Sequence, residues 1–279
     1  MSNKILVIGS NGTVGQEIVN QLRAKAEPLK LATSKSPSSN EYVQLNLSTG
    51  EGLDSAFEGV DRAFLLSPPG FADQYSLLSP AIAKAKEKAL KKVVLMTAMG
   101  ADADENSAFR RAELELIQSG MDYNIIRPNW FFQNFNTFWL HDLLEERKIK
   151  LPAGDAKVSF IDSRDISSVA VKLLTTDEFV NKEFNLTGPE SINHREVADA
   201  IENEIGETVE YKEVEPQVLG DVLLNVGLPK DYVDFMLLIF GYLKEGYNSQ
   251  ITNSVEEIIG RKPISLNQYV ADNKKSWLK

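Results

Sequence analysis

The chain has no cysteine and only two histidines, His141 and His194, among its 279 residues. The first absence excludes disulfides, thiolate metal ligands and a cysteine nucleophile, and gives an oxidising compartment no support. Two histidines far apart in sequence are a poor basis for a metal site, so none is expected. No apolar run approaches the ~20 residues that a membrane-spanning helix needs. Positive charge is also scarce. The formal net charge is −10, and nucleic acid is held by clustered Lys and Arg, so it is not expected as a partner. The one basic run, Lys84 to Lys92, is interleaved with alanine and leucine on an expected helix and reads as a solvated face. A single lysine followed at once by a short apolar segment and a glycine loop is not a secretory leader. The expectation is a cytoplasmic protein with neither membrane nor nucleic acid as partner.

What is present is ordinary globular composition, with 43% hydrophobic and 25% charged residues, in a chain long enough to bury an ample core. Short β-branched runs at Lys4 to Ile8, Leu29 to Ala32, Tyr42 to Leu45, Asp61 to Leu66, Val93 to Met96 and Tyr123 to Arg127 predict buried parallel strands. Helical spacing lies between them: Val14, Ile18 and Leu22; Leu53 to Phe57; Tyr75, Leu78, Ile82, Ala85 and Ala89; Phe109 to Gln118. This alternation predicts an α/β fold, a doubly wound parallel sheet with helices on both faces. The second half is less regular. Asp165 is expected to cap a helix through Ile166, Val169, Leu173 and Leu174. Phe184 to Leu186 reads as a strand. Asn193 and Glu196 have the spacing of a capping box before a helix that Gly206 ends. Val209 to Val214 reads as a strand, Val233 to Leu243 as an apolar helix, and the Ser-rich stretch Thr33 to Asn40 as a loop.

The segment Gly9-Ser10-Asn11-Gly12-Thr13-Val14-Gly15 sits directly between the first strand and the first helix. Glycines are needed there for a tight turn, for close approach of the backbone to a pyrophosphate, and for close helix–strand packing. The helix N-terminus adds free N–H groups and the positive end of its dipole. After a strand and opening a helix, this is the context that a dinucleotide loop requires. An acidic residue ~20 positions on would bind the ribose 2′-hydroxyl of NAD. Here the second strand runs into Thr33-Ser34-Lys35 with no carboxylate. Hydroxyls and a cation suit a 2′-phosphate, so NADP (NADPH) is expected in preference to NAD.

The glycine spacing resembles that of extended and atypical short-chain dehydrogenases, and further segments resemble the NmrA-like group of that family. They are Gly59-Val60-Asp61-Arg62-Ala63-Phe64-Leu65-Leu66-Ser67-Pro68-Pro69, Arg127-Pro128-Asn129-Trp130-Phe131, Phe160-Ile161-Asp162-Ser163-Arg164-Asp165-Ile166, Asn185-Leu186-Thr187-Gly188-Pro189-Glu190, Gly227-Leu228-Pro229 before a helix, and Gly260-Arg261-Lys262-Pro263. The likeness spans nearly the whole chain. The family includes NADPH-dependent quinone reductases, triphenylmethane-dye reductases and non-catalytic redox-sensing regulators. The resemblance implies a Rossmann-type core over residues 1–130, with 159–189 returning to it, and a smaller substrate-binding lid over 131–158 and 190–279. It implies Ser34 and Lys35 beside the 2′-phosphate, and Asn46 and Leu47 beside the adenine. Many relatives carry Asp where Asn46 stands. It implies Ser67 and Pro68 in the cofactor cleft, with Thr97, Ala98, Met99 and Pro128 near the nicotinamide.

Typical short-chain dehydrogenases pair a proton-donating Tyr with a Lys four positions later. The matching positions here are Phe109 and Glu113. Phenylalanine donates no proton, and a glutamate raises a neighbouring acid's pKa. No catalytic residue is therefore assigned, and a sugar-nucleotide epimerase, which needs that pair, is disfavoured. Hydride transfer to a small conjugated acceptor such as a quinone or dye still fits, because the cofactor carries the hard chemistry and water supplies protons. Asn129, Trp130 and Phe131 are expected to wall the acceptor pocket. Phe132, Phe135 and Trp139, at helical spacing, read as core. His141 and His194 read as structural, and Asp162 and Asp165 as ties between the two halves. The alternative is a redox sensor acting through a protein partner, with Phe235 to Phe240 as a possible surface unless buried; a homodimer is also open.

Overall fold

The computed structural model describes residues 4–37 and 39–278. Ser38, inside the loop expected over 33–40, lies outside the described residues. The first strands, β1 (Lys4–Val7), β2 (Leu29–Thr33), β3 (Tyr42–Gln44), β4 (Val60–Leu65), β5 (Lys92–Met96) and β6 (Asp122–Pro128), alternate with α1 (Thr13–Ala24), α2 (Leu53–Phe57), α3 (Gln74–Glu87) and α4 (Ala108–Ile117). After α5 (Leu140–Glu145), β7 (Lys148–Leu151) and α6 (Ser163–Thr175), the chain returns to the sheet as β8 (Lys182–Leu186). The order is β3-β2-β1-β4-β5-β6-β8, and every pairing is parallel. The chain reverses direction between β1 and β4, which places a crevice at their C-terminal ends.

Period-two alternation divides each strand between the faces. Ile5, Val7, Phe64, Val94 and Ile126 pack with α1 and α6; Leu6, Leu65, Val93, Leu95 and Ile125 pack with α2, α3 and α4. Both faces are covered, so the strands are apolar throughout, as their sequence reads. Ser167 on α6 donates to the Val14 carbonyl at 3.0 Å, fixing α6 against the first turn of α1.

Two expectations need correction. The N-cap of α6 is Asp162, not Asp165. Asp162 has extended backbone and accepts the Arg164 N–H at 2.8 Å. Asp165, already helical and fully buried, turns to the Ile264 N–H at 2.7 Å and to Arg261 at 2.6 Å. It thus ties the C-terminal segment to α6. The basic run also does not end on a solvated face. Lys92 is 3% exposed in β5, because the ends of its long side chain find the Leu173 and Thr176 carbonyls and Asp177.

The remaining elements are α7 (His194–Ile205), β9 (Glu210–Glu213), α8 (Pro216–Asn225), α9 (Lys230–Lys244), α10 (Ser254–Ile259) and α11 (Leu266–Asn273). α10 packs on α6 and the first core, its Val255 and Ile258 buried there. The others surround a third core, where β7 and β9 form a two-stranded parallel sheet. The Asn193–Glu196 capping box and the left-handed Gly206 bound α7 as expected. The spacing of Phe132, Phe135 and Trp139 is met by a 3-10 turn over Phe132–Asn136, with α5 starting only at Leu140. Phe132 and Phe135 are buried as core. His194 is fully buried among the rings of Phe135, Trp139, Phe160 and Tyr211. Burial pushes its imidazole down to about 3. Among the described residues, no helix is long and apolar enough to cross a membrane.

Candidate functional site

The glycine loop leaves β1 and meets α1 at the crevice. Its three glycines have different causes. Gly9 has φ +69°, a conformation that side chains disfavour. At Gly15 a Cβ would stand 2.1 Å from the Gly9 carbonyl oxygen, so the helix could not approach the strand. Gly12 is constrained less: its φ is −84°, and a Cβ would meet only the Gly9 oxygen, tightly, at 3.3 Å. The fold demands the first and third glycines more strictly than the second. Gly12 is also the N-cap of α1, and no side chain caps the helix there. The first turn of α1 therefore presents backbone donors and dipole to an open position, the arrangement that takes a phosphate.

Side chains lock this loop to the end of β2. Ser10 Oγ, buried, donates to the Ala32 carbonyl at 2.9 Å, and Asn11 Nδ2 donates to Thr33 Oγ1 at 3.0 Å. The Lys35 N–H donates to the same hydroxyl at 3.2 Å. The Ser34 and Lys35 side chains are exposed beside the loop. After β3, Asn46 accepts the Ser48 N–H (2.9 Å) and hydroxyl (2.7 Å), closing a turn, and Leu47 is buried. Ser67 and Pro68 follow β4 and are half-buried.

Beyond β5 the ladder continues through the loop: the Thr97 N–H donates to the Ile126 carbonyl and the Met99 N–H to that of Pro128, each at 3.0 Å. Ala98 and Met99 are half-buried. Asn129 follows β6, and its side chain is engaged with Ser159 Oγ (2.7 Å), the Asn248 carbonyl (2.8 Å) and the Trp130 N–H (2.9 Å). Trp130 lies against Phe240 at 4.9 Å and Trp139 at 6.2 Å between ring centroids. Phe131 is bridged to Ile161. The residues expected around the cofactor and acceptor all fall at the C-terminal ends of β1 to β6. His141 is exposed on α5. In α9, Phe240 is buried and Leu238 is 52% exposed.

Phe109 and Glu113 form no proton relay. Glu113 is fully buried and accepts from Thr97 Oγ1 (2.6 Å), Arg127 (2.8 and 2.7 Å) and Arg110 (3.0 Å). Burial alone would raise its pKa, but Arg127, Thr97 and Arg110 outweigh it and hold the carboxyl below its usual range. Arg127 is the residue that sequence reasoning missed. An arginine directly after the apolar pair Ile125-Ile126 was the available signal, since a buried guanidinium demands a carboxylate.

The chain matches the NmrA-like family over residues 1–270. It is 28% identical to the NAD(P)H azoreductase of Xenophilus azovorans, an alignment covering 92% of this chain and 93% of that protein. The fold is shared with the triphenylmethane reductase of Citrobacter sp. solved with NADP(H), at TM-score 0.81 and 17% identity over 98% of this chain and 99% of that one. It is shared also with the NADPH-dependent quinone oxidoreductase QOR2 of Escherichia coli solved with NADPH, at TM-score 0.80 and 20% identity over 96% and 99%.

Proposed function

The chain belongs to the NmrA-like family, and from that premise we propose that it is an NADP(H)-binding oxidoreductase reducing a small conjugated acceptor such as a quinone or dye. The carrying observation is the open, uncapped N-terminus of α1 over Gly12, in a loop fastened to a β2 end that bears Lys35 and no carboxylate. On this reading the Gly9–Gly15 loop holds the pyrophosphate, and Ser34 and Lys35 hold the 2′-phosphate. Asn46 and Leu47 border the adenine, and Ser67 and Pro68 line the cleft. Ala98, Met99 and Pro128 present an apolar surface to the nicotinamide half. Residues 1–130 and 159–189 then hold the cofactor, and 131–158 with 190–279 cover the acceptor.

When bound, NADPH supplies a hydride. The protein's part is to hold the acceptor and exclude water around it. Trp130 and Phe131 form the acceptor wall, with Asn129 bracing Trp130 from behind. A conjugated acceptor spreads the incoming charge, so protonation by a side chain is not required in the same step. That suits a site where Phe109 and Glu113 replace the tyrosine and lysine. The azoreductase, dye reductase and quinone reductase named above support this acceptor class.

The same replacement favours a second reading, a redox sensor of NADP(H) working through a protein partner. NADPH oxidation against a panel of quinones, azo dyes and triphenylmethane dyes separates them. Turnover supports the reductase. Saturable NADPH binding without turnover on any acceptor supports the sensor.

A further inference from the structure

A buried ion cluster lies behind the C-terminal ends of β5 and β6, and the hydride chemistry above does not use it. Glu113 is its centre. From Arg127 the cluster reaches Asp102 at 3.0 Å and Glu183 on β8. Two of its members, Thr97 and Asp102, bracket a single short turn that carries Ala98 and Met99. One end is tied to Glu113 directly, the other through Arg127. The other restraints on the turn are the Thr97 and Met99 N–H groups on Ile126 and Pro128, the Ala101 and Ala103 N–H groups on Ala98 and Gly100, and Ser107 Oγ on the Ala101 carbonyl at 2.9 Å. The side chains of Ala98 and Met99 themselves make no hydrogen bond, so their placement follows the two tethered ends.

Stability alone is a weak reason for such a cluster, because well-packed apolar residues often replace a buried ion pair without loss. Its geometry supplies another reason. A dinucleotide spans the crevice at the switch point between β1 and β4. If the half bearing the 2′-phosphate lies toward Thr33–Lys35, the other half extends over the turn after β5. We infer that Glu113 is a positioning residue, which through Thr97 and the Arg127–Asp102 link fixes Ala98 and Met99 against the nicotinamide half of the cofactor. The same bond commits the Thr97 hydroxyl proton to Glu113, leaving the turn no protic side chain to offer. The inference rests on the NADP(H) reading.

Binding of two ligands tests it: NADPH, and adenosine 2′,5′-bisphosphate, which carries only the adenosine end. Asp102→Asn weakens one tether by removing its charge, at a side chain that is 40% exposed, and keeps the buried Glu113–Arg127 pair on which folding depends. Glu113→Gln removes the central charge. The expected result is NADPH affinity lower by about threefold to tenfold in Asp102→Asn and by more in Glu113→Gln, with the bisphosphate bound as in wild type. Equal loss of both ligands in both variants, or loss of neither, overturns the inference. Wild-type protein that binds neither ligand overturns the NADP(H) reading itself, and the inference with it.

Discussion

The seven-stranded sheet and the third core are built from different materials. Around the sheet the buried side chains are mainly aliphatic and follow the period of strand and helix: Ile5 and Val7 meet Ile18 and Leu22 on one face, Leu6 and Leu65 meet Leu77 and Leu78 on the other. The third core is far richer in aromatic rings, and its ring contacts close over long separations. Phe132 stacks on Tyr269 at 5.0 Å, and Trp277 Nε1 donates to the Phe135 carbonyl at 2.9 Å across 142 positions. A pleated sheet needs only a repeating apolar pattern to be covered. A small two-stranded sheet covers little, so large rings from distant segments must fill the space. The Gly9–Gly15 loop thus stands on the regular part, and Trp130 of the proposed acceptor wall on the ring-rich part.

The largest expected difference between the two regions is in acid. His194 is buried with neither ring nitrogen hydrogen-bonded. Its folded pKa of about 3 lies below the unfolded value of about 6.5. The unfolded chain therefore binds the extra proton first as pH falls. Stability is intact above about pH 6.5 and is lost at about 1.4 kcal/mol per unit down to about pH 3. All three tryptophans, Trp130, Trp139 and Trp277, belong to or pack on the third core, so their fluorescence reports this loss. His194→Phe should flatten the slope. An unchanged slope would assign the acid sensitivity to the carboxylates instead.

Next come the glycines. Gly15→Ala drives a Cβ into backbone at 2.1 Å and should cost about 2 kcal/mol or more, abolishing NADPH binding as well. Gly12→Ala, at an N-cap that disfavours alanine, should cost about 1 kcal/mol, less than Gly15→Ala, and weaken NADPH by at least about tenfold, or 1.4 kcal/mol. Equal destabilisation by the two would make Gly12 a requirement of the fold rather than of the ligand. Lys35→Ala tests the other end of the same cleft. It should weaken NADPH by about tenfold at low salt, less at high salt, and leave NADH untouched. Equal loss for both cofactors would remove the 2′-phosphate from the argument.

Local physics was legible in the sequence, and pairings at a distance were not. The loop Gly9 to Gly15 and the Asn193–Glu196 box each declare themselves within a few residues. Asp165 was misread as a cap because its partners, Ile264 and Arg261, lie about a hundred positions away. Lys92 read as solvated because the carbonyls that take its ammonium, Leu173 and Thr176, lie at the C-terminal end of α6, about eighty positions on. Strand β7 was missed, although Lys148-Ile149-Lys150-Leu151 alternates as a half-buried strand should, because its neighbour β9 is remote in sequence. Glu113 was recognised for what it replaces, while its tie to Arg127 and Thr97 emerges only when α4 is laid on the sheet.

The smallest expected effect is also the sharpest test of whether the two regions are energetically separate. Asn193 caps α7 by accepting the Glu196 N–H at 2.9 Å, and Glu196 returns a bond to the Asn193 N–H at 2.7 Å. Asn193→Ala removes one side of this exchange and should cost about 1 kcal/mol. The helix buries Val197, Ala198 and Ile201 in the third core, so the tryptophan-detected transition should fall to lower temperature. Adenosine 2′,5′-bisphosphate binds by the proposal at the far side of the sheet, and its affinity should not change. If saturating bisphosphate raises the tryptophan-detected transition in wild type and variant alike, the sheet and the third core unfold as one cooperative unit, and the cost of the lost cap is shared by both.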